Sequence, residues 1–300
     1  ARLDAPGCDG VWLKVGREAF VCDRHVELSR EAPGGTRHPS VEPGAILPYD
    51  YAFIATDGTR AFAHPSDYFA DEYHSALGQG FGVILSGRTL YEGVPFVKTR
   101  RQLYIQADQV RPARGSGFEG VALEEGQPLD LAFTKRRNVR IHERRGGPLA
   151  RRAGRREVLH VAESHGHWLE LTDGNWVRRR DVHLAEPSER PESAPQGDDW
   201  TGTWMDVSIE SQVLVAYRGD RPVYVTLVST GRNGPTHATP LGEHRLWVKL
   251  AFSDMDNLER DDISENYALE RVPWVQYFEG ANGLHAAFWH DDFGRRKSHG

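Results

Sequence analysis

Short runs of β-branched and aromatic residues recur along this chain. Each is cut off by Gly, Pro, Asn or Asp, and helix-period patterns are scarce. That texture predicts a mainly β fold of many short strands. Ala52-Phe53-Ile54-Ala55, Phe81 to Leu85, Gln102 to Ile105, Val158 to Val161 and Trp168 to Leu171 all read as strands. The 31 glycines and 17 prolines supply the turns between them. At 300 residues the chain has length for two or three domains, each able to bury a core.

Several classes are disfavoured at once. No run approaches the ~18–20 apolar residues of a membrane helix. A net charge of −6 argues against a generic nucleic-acid binder. Two cysteines, Cys8 and Cys22, exclude a framework of several disulfides and a four-cysteine zinc site. They flank the strand-like run Val11 to Val15 and are plausible disulfide partners if the protein is exported, or else two reduced structural cysteines. The chain begins with Ala1 rather than Met, which a removed signal peptide or a trimmed chain would explain.

A weak internal repeat is visible. One copy runs from about Leu47 to Ala113, the other from about Leu131 to Pro187. In the second, Trp168-Leu169-Glu170-Leu171 is followed by Thr172-Asp173-Gly174-Asn175-Trp176-Val177. This reads as a hairpin whose Asp-Gly pair supplies the positive φ angles of a tight two-residue loop. The stretch resembles bacterial SH3-like (SH3b) domains, more clearly in the second copy than in the first. Within it, Lys135 to Arg156 holds ten basic residues against one acid, Glu143. That run reads as solvated loops of a small barrel, or as a surface for an anionic polymer. From Glu186 to Asp199 three prolines and small polar residues predict a semi-extended, exposed linker. The expected division is an N-terminal segment (1–46), SH3-like modules (47–115 and 128–187), a Pro-rich linker (188–198) and a final domain (199–300).

Beyond the linker the texture changes. Trp204 to Ile209 and Gln212 to Tyr217 read as hairpin partners, and Val223 to Ser229 as a third strand. Thr239-Pro240-Leu241-Gly242-Glu243-His244-Arg245-Leu246 reads as a turn leading into a further strand. Gly283-Leu284-His285-Ala286 then precedes a terminal Ser298-His299-Gly300. Order and content resemble the catalytic domain of L,D-transpeptidases, the YkuD family, in four segments from Trp200 to Gly300. That family carries Q-x-L-x-A-Y and T-P-x-G patterns, then a His and a Ser-His-Gly-Cys run. The position after Gly300 lies 16 residues beyond His285, which is the family distance for the nucleophilic cysteine. The sequence as given stops one position short of it. The expectation is a domain cut before its end, with the cysteine immediately beyond Gly300.

The resemblance implies a mainly β protein in which SH3-like barrels precede a β-sandwich-like catalytic domain. It implies a peptidoglycan L,D-transpeptidase that needs no cofactor. His285 would be the base that activates the thiol, with the backbone carbonyl of Ala286 on its other nitrogen. Ser298, His299 and Gly300 would lie at the nucleophile, where backbone N–H groups stabilise an oxyanion. Tyr277 and Trp289 are candidate contacts to the donor peptide. Asp254 to Glu270 is expected to be a surface loop or short helix flanking the cleft. The implied partners are peptidoglycan stem peptides, with wall glycan on the SH3-like modules and no nucleic acid. An exported monomer in the periplasm or cell envelope is expected. Two other classes stay open at this point: a non-catalytic wall-binding homologue, and a metal-dependent wall hydrolase using His285, His290 and His299.

Overall fold

The computed structural model describes residues 2–3, 5–15, 20–26, 39–197, 200–234, 237–258 and 266–298. It is built of β-strands and short 3-10 turns, as the punctuated strand pattern predicts, with no α-helix among the described residues. Two compact units divide the chain, residues 1–38 and 39–300. The first holds a three-stranded antiparallel sheet of β1 (Arg2–Leu3), β2 (Trp12–Lys14) and β3 (Phe20–Cys22). Cys8 and Cys22 are disulfide-bonded, with Cα atoms 5.6 Å apart. Asp23 closes the same loop by accepting the Val11 N–H at 3.1 Å.

The second unit opens with β4 (Tyr51–Ile54), β5 (Thr59–Ala61), β6 (Ser75–Leu77), β7 (Gly82–Tyr91), β8 (Val94–Thr99), β9 (Tyr104–Gln106) and β10 (Val110–Pro112). β7 is long because its two halves do different work. Val83, Ile84 and Leu85 are buried, whereas Ser86 to Leu90 are exposed. A register shift between Leu85 and Gly87 separates the halves, and such a bulge turns a strand from one sheet to the next. The core beneath is formed by Ala52, Ile54, Ala61, Val83, Leu85, Val97 and Ile105.

β11 (Val121–Ala122) leads into a seven-stranded sheet. Its members are β12 (Leu131–Thr134), β13 (Val139–His142), β14 (Leu149–Ala153), β15 (Val158–His165), β16 (Trp168–Leu171), β17 (Trp176–Arg178) and β18 (Val182–Leu184). The β16–β17 hairpin forms where the sequence predicts it, pairing Leu169 with Val177. Its loop departs from the two-residue form. Gly174 alone takes a positive φ, +80°, and the Asp173 carboxylate accepts the Asn175 N–H at 2.9 Å. A loop one residue longer, ending in a left-handed Gly, needs only that single special position.

β12 is buried on both faces. Ala132 packs into the core of its own sheet with Val139, Ile141, Leu169 and Val177. Leu131 and Phe133 point the other way, into a core shared with Val213, Val215, Tyr217, Val225 and Leu227. Those residues lie on β20 (Val213–Arg218) and β21 (Arg221–Leu227), which pair in the order β11-β21-β20-β19 with β19 (Thr203–Ser208).

The remaining strands extend the first sheet instead. β22 (Val248–Asp256), β23 (Ala268–Glu279) and β24 (Asn282–Leu284) follow β7 in the order β7-β23-β22, with β24 on β23. The contact of β23 with β7 is parallel, Leu269 opposite Gly82. Gly82 permits it, since a Cβ there would stand 3.0 Å from Leu269 and 3.3 Å from Phe288. The buried Glu270 carboxylate accepts the Ile84 N–H at 2.9 Å and pairs with Arg101 at 2.7 Å. The acidic stretch Asp254–Glu270 therefore differs from the loop or short helix expected. Its described ends belong to β22 and β23, because Asp254 and Glu270 find partners in the sheet; residues 259–265 lie outside the described residues.

The Pro-rich segment carries no strand, yet it is fastened down. Ser188 N–H donates to the Tyr217 hydroxyl at 3.0 Å. Arg190 forks onto Asp220 at 2.8 and 2.6 Å. The Glu243 carboxylate receives the N–H groups of Glu192 and Ser193. Backbone donors that a free linker would leave to water are here bonded to protein.

Candidate active site

β24 delivers its chain to His285. Leu284, the last residue of that strand, pairs with Gln276 of β23, and Ala286 N–H donates to the Pro273 carbonyl at 3.1 Å. Three residues on, Phe288 is fully buried and stacks on Tyr51 of β4, with ring centroids 3.9 Å apart. The His285 loop therefore rests on β4 and β7 through Tyr51 and Ile84, with Val272 and Val275 of β23 completing the floor.

The His285 Nδ1 stands 3.1 Å from the Ala286 carbonyl oxygen. A carbonyl only accepts, so Nδ1 carries the proton and Nε2 the lone pair. Burial holds the imidazole below its ordinary pKa, and the bond to the Ala286 carbonyl only partly offsets this. The ring is neutral at pH 7, the state in which it can accept a proton. Trp289 lies against it at 5.4 Å between ring centroids. Tyr277 sits one pair away on β23, opposite Gly283. It stacks on Trp247 at 5.8 Å, and its hydroxyl reaches Ser253 Oγ at 3.3 Å.

Ser298 is held from the opposite side. It bridges Gly231 in parallel fashion. Lys297 and Ser298 N–H both donate to the Thr230 carbonyl at 3.0 Å, and Arg232 N–H donates to the Ser298 carbonyl at 2.9 Å. Thr230 is itself anchored by Gln212. The Gln212 amide accepts the Thr230 N–H at 3.0 Å and donates to its Oγ1 at 2.6 Å and to the Ile209 carbonyl at 2.7 Å. Thr239 fastens the same turn by accepting the Gly231 N–H at 2.9 Å. His299 and Gly300 lie outside the described residues.

His290 draws the two sides together. Its Nδ1 accepts the Asp292 N–H at 3.2 Å, so its tautomer is opposite to that of His285. Burial lowers its pKa, and the Asp292 and Asp291 carboxylates only partly offset this. Asp292 faces Lys297 at 3.7 Å. The loop that begins at His285 thus returns to the Ser298 segment. Among the described residues, no cluster of converging His, Cys, Asp and Glu ligand atoms includes His285 or His290.

Residues 202–300 match the YkuD family, the L,D-transpeptidase catalytic domain. That match covers the C-terminal third of the chain. Neither the curated proteins nor the solved structures contain a match to the chain. L,D-transpeptidases are cell-envelope enzymes acting on peptidoglycan, and no described helix is long and apolar enough to cross a membrane. Sequence reasoning missed the buried pair Gln212 and Thr230 that holds the Ser298 segment. Gln212 opens the Q-x-L-x-A-Y pattern, and its signal in the sequence was a lone amide just before an apolar strand; the structure gives it a φ of +57°. Asp291 reads from sequence only as a weak metal ligand beside His290 and Asp292; its arginine partners were missed because they lie more than a hundred residues away.

Proposed function

We propose that the protein is a peptidoglycan L,D-transpeptidase working by cysteine acyl transfer. The observation that carries this reading is the contact of His285 Nδ1 with the Ala286 carbonyl inside the YkuD segment. It leaves Nε2 as the nitrogen that exchanges a proton. In this reading the nucleophile is the cysteine expected to follow Gly300. His285 takes the thiol proton, and the thiolate attacks the amide carbonyl of the L-centre in a stem tetrapeptide. The tetrahedral intermediate collapses to a thioester, and His285 returns the proton to the leaving amine of D-Ala. An acceptor amine then attacks the thioester, giving a 3–3 cross-link or a wall attachment, and the thiol is regenerated.

Ser298, His299 and Gly300 lie at the nucleophile in this scheme, and the oxyanion is met by backbone N–H groups around Gly300 and the cysteine, the Ser298 N–H being bonded to Thr230. Tyr277 and Trp289 flank the donor peptide. The β-modules at 47–115 and 128–187 are SH3-like and hold the enzyme on wall glycan, outside the cytoplasm and as a monomer. The Cys8–Cys22 bridge supports an oxidising compartment. The reading is tested by incubating the product of the complete gene with a carbapenem and measuring intact mass. One covalent adduct on a cysteine of a Ser-His-Gly-Cys run is expected. A folded protein with no adduct overturns the reading in favour of a non-catalytic homologue.

A further inference from the structure

The arginine-rich stretch of the second β-module is not all solvent-facing. Arg155 and Arg156 sit in the turn between β14 and β15, with side chains 29% and 8% exposed. Both reach Asp291, six residues beyond His285. Arg155 donates to the Asp291 carboxylate at 3.2 Å and to its backbone carbonyl at 2.6 Å. Arg156 donates to the carboxylate at 2.5 Å and also to the backbone carbonyl. The Ser116 hydroxyl donates to the same carboxylate. The Arg156 guanidinium lies over the rings of Phe118 and Phe293, 5.2 and 5.9 Å from their centroids.

The loop from His285 to Ser298 is thus pinned at its middle by five donated hydrogen bonds, four of them from two guanidiniums. Partial burial alone would raise the Asp291 pKa, but the bonds from Arg156 and Ser116 and the arginine charges hold it below the usual carboxylate range. Charge-assisted, forked bonds of this kind fix direction as well as distance. The first β-module holds the loop from the other side through Phe288 on Tyr51.

We propose that Arg155 and Arg156 are positioning residues that act through Asp291 to set the orientation of the His285 imidazole, so that the second β-module is a working part of the transpeptidase site. The inference rests on the reading of His285 as the base. Arg156→Lys keeps the charge but loses the fork. Arg155→Ala removes the more exposed arm, and Asp291→Asn keeps the shape without the charge.

The product of the complete gene and these variants are compared for limiting carbapenem acylation rate, apparent affinity, thermal midpoint and the His285 ring resonances. A displacement of about an ångström at a reacting group costs up to roughly a hundredfold. The limiting rate is expected to fall about 10- to 100-fold in Asp291→Asn and less in Arg156→Lys, with affinity nearly constant and the His285 resonances moved. Unchanged rates and resonances alongside a lower midpoint would show a purely structural tether and overturn the proposal. If the parent protein itself forms no adduct, the transpeptidase reading fails. The His285 resonances of Asp291→Asn then decide the positioning claim alone: a shift supports it and coincident spectra overturn it.

Discussion

Replacing Gln212 tests how the Ser298 segment is held. The residue is 4% exposed, and its amide serves three groups: the Thr230 N–H, the Thr230 hydroxyl and the Ile209 carbonyl. Gln212→Ala leaves the buried Thr230 N–H without its partner and takes one of two donors from the half-buried Ile209 carbonyl, which keeps Arg296 at 3.3 Å. A buried group left unsatisfied costs about 1–3 kcal/mol, so the loss is expected at about 2 kcal/mol. Gln212→Glu has the same shape and separates the terms. Its carboxylate can still accept from the Thr230 N–H, and the Thr230 hydroxyl can turn to donate to it, but it puts an oxygen toward the Ile209 carbonyl, where a donor is needed. It is expected to fall between wild type and Ala near neutral pH. Urea unfolding followed by tryptophan fluorescence measures both. Amide exchange at Lys297 and Ser298, whose N–H groups bond the Thr230 carbonyl, reports whether the loss reaches that segment. A cost under about 1 kcal/mol for Gln212→Ala, with exchange at 297 and 298 unaltered, would refute the idea that this amide supports the site.

Phe288→Ala empties a fully buried ring site against Tyr51 and should cost about 3–5 kcal/mol in denaturant unfolding, while loosening the loop that bears His285. His183 is held neutral, its pKa lowered to about 4, chiefly by burial, with its Nδ1 on the Ser211 carbonyl at 2.7 Å. A depressed histidine stabilises the fold above its unfolded value of ~6.5. That contribution should be lost as pH falls from 6.5 toward 4, and His183→Gln should flatten the stability profile across that window. Gly294→Ala should destabilise the same junction, since the residue has a φ of +90° and a Cβ there would lie 2.6 Å from His183 Nε2; a thermal midpoint equal to wild type would contradict this. Reducing the Cys8–Cys22 bridge should weaken the N-terminal unit by about 3 kcal/mol, the loop-closure value for a ring of this size, as read from amide exchange at Leu13 and Cys22.

The strands were legible because local pattern decides them. Trp168–Leu171 alternates burial residue by residue, and the Gln212 to Tyr217 run pairs with its neighbour as its apolar content suggests. The His285–Ala286 contact was legible too, because it lies within two adjacent residues. What could not be read is how distant segments meet. No local signal says that Gly82 admits Leu269, that Leu131 and Phe133 face a second core, or that Arg156 crosses to Asp291. Each depends on tertiary partners 80 or more residues away. The Pro-rich stretch misleads for the same reason, since its composition favours an extended chain while Arg190 and Glu243 tie it down.

The central claim is that His285 serves a cysteine in acyl transfer, and the release of D-Ala tests it most directly. The product of the complete gene and its His285→Ala variant are incubated with a disaccharide tetrapeptide, and free D-Ala and the thioester are followed by mass spectrometry. The account predicts one D-Ala per thioester formed, and a rate about 10²–10⁴ times lower in the variant. Release at an undiminished rate from His285→Ala, or no release from a folded parent protein, would contradict it.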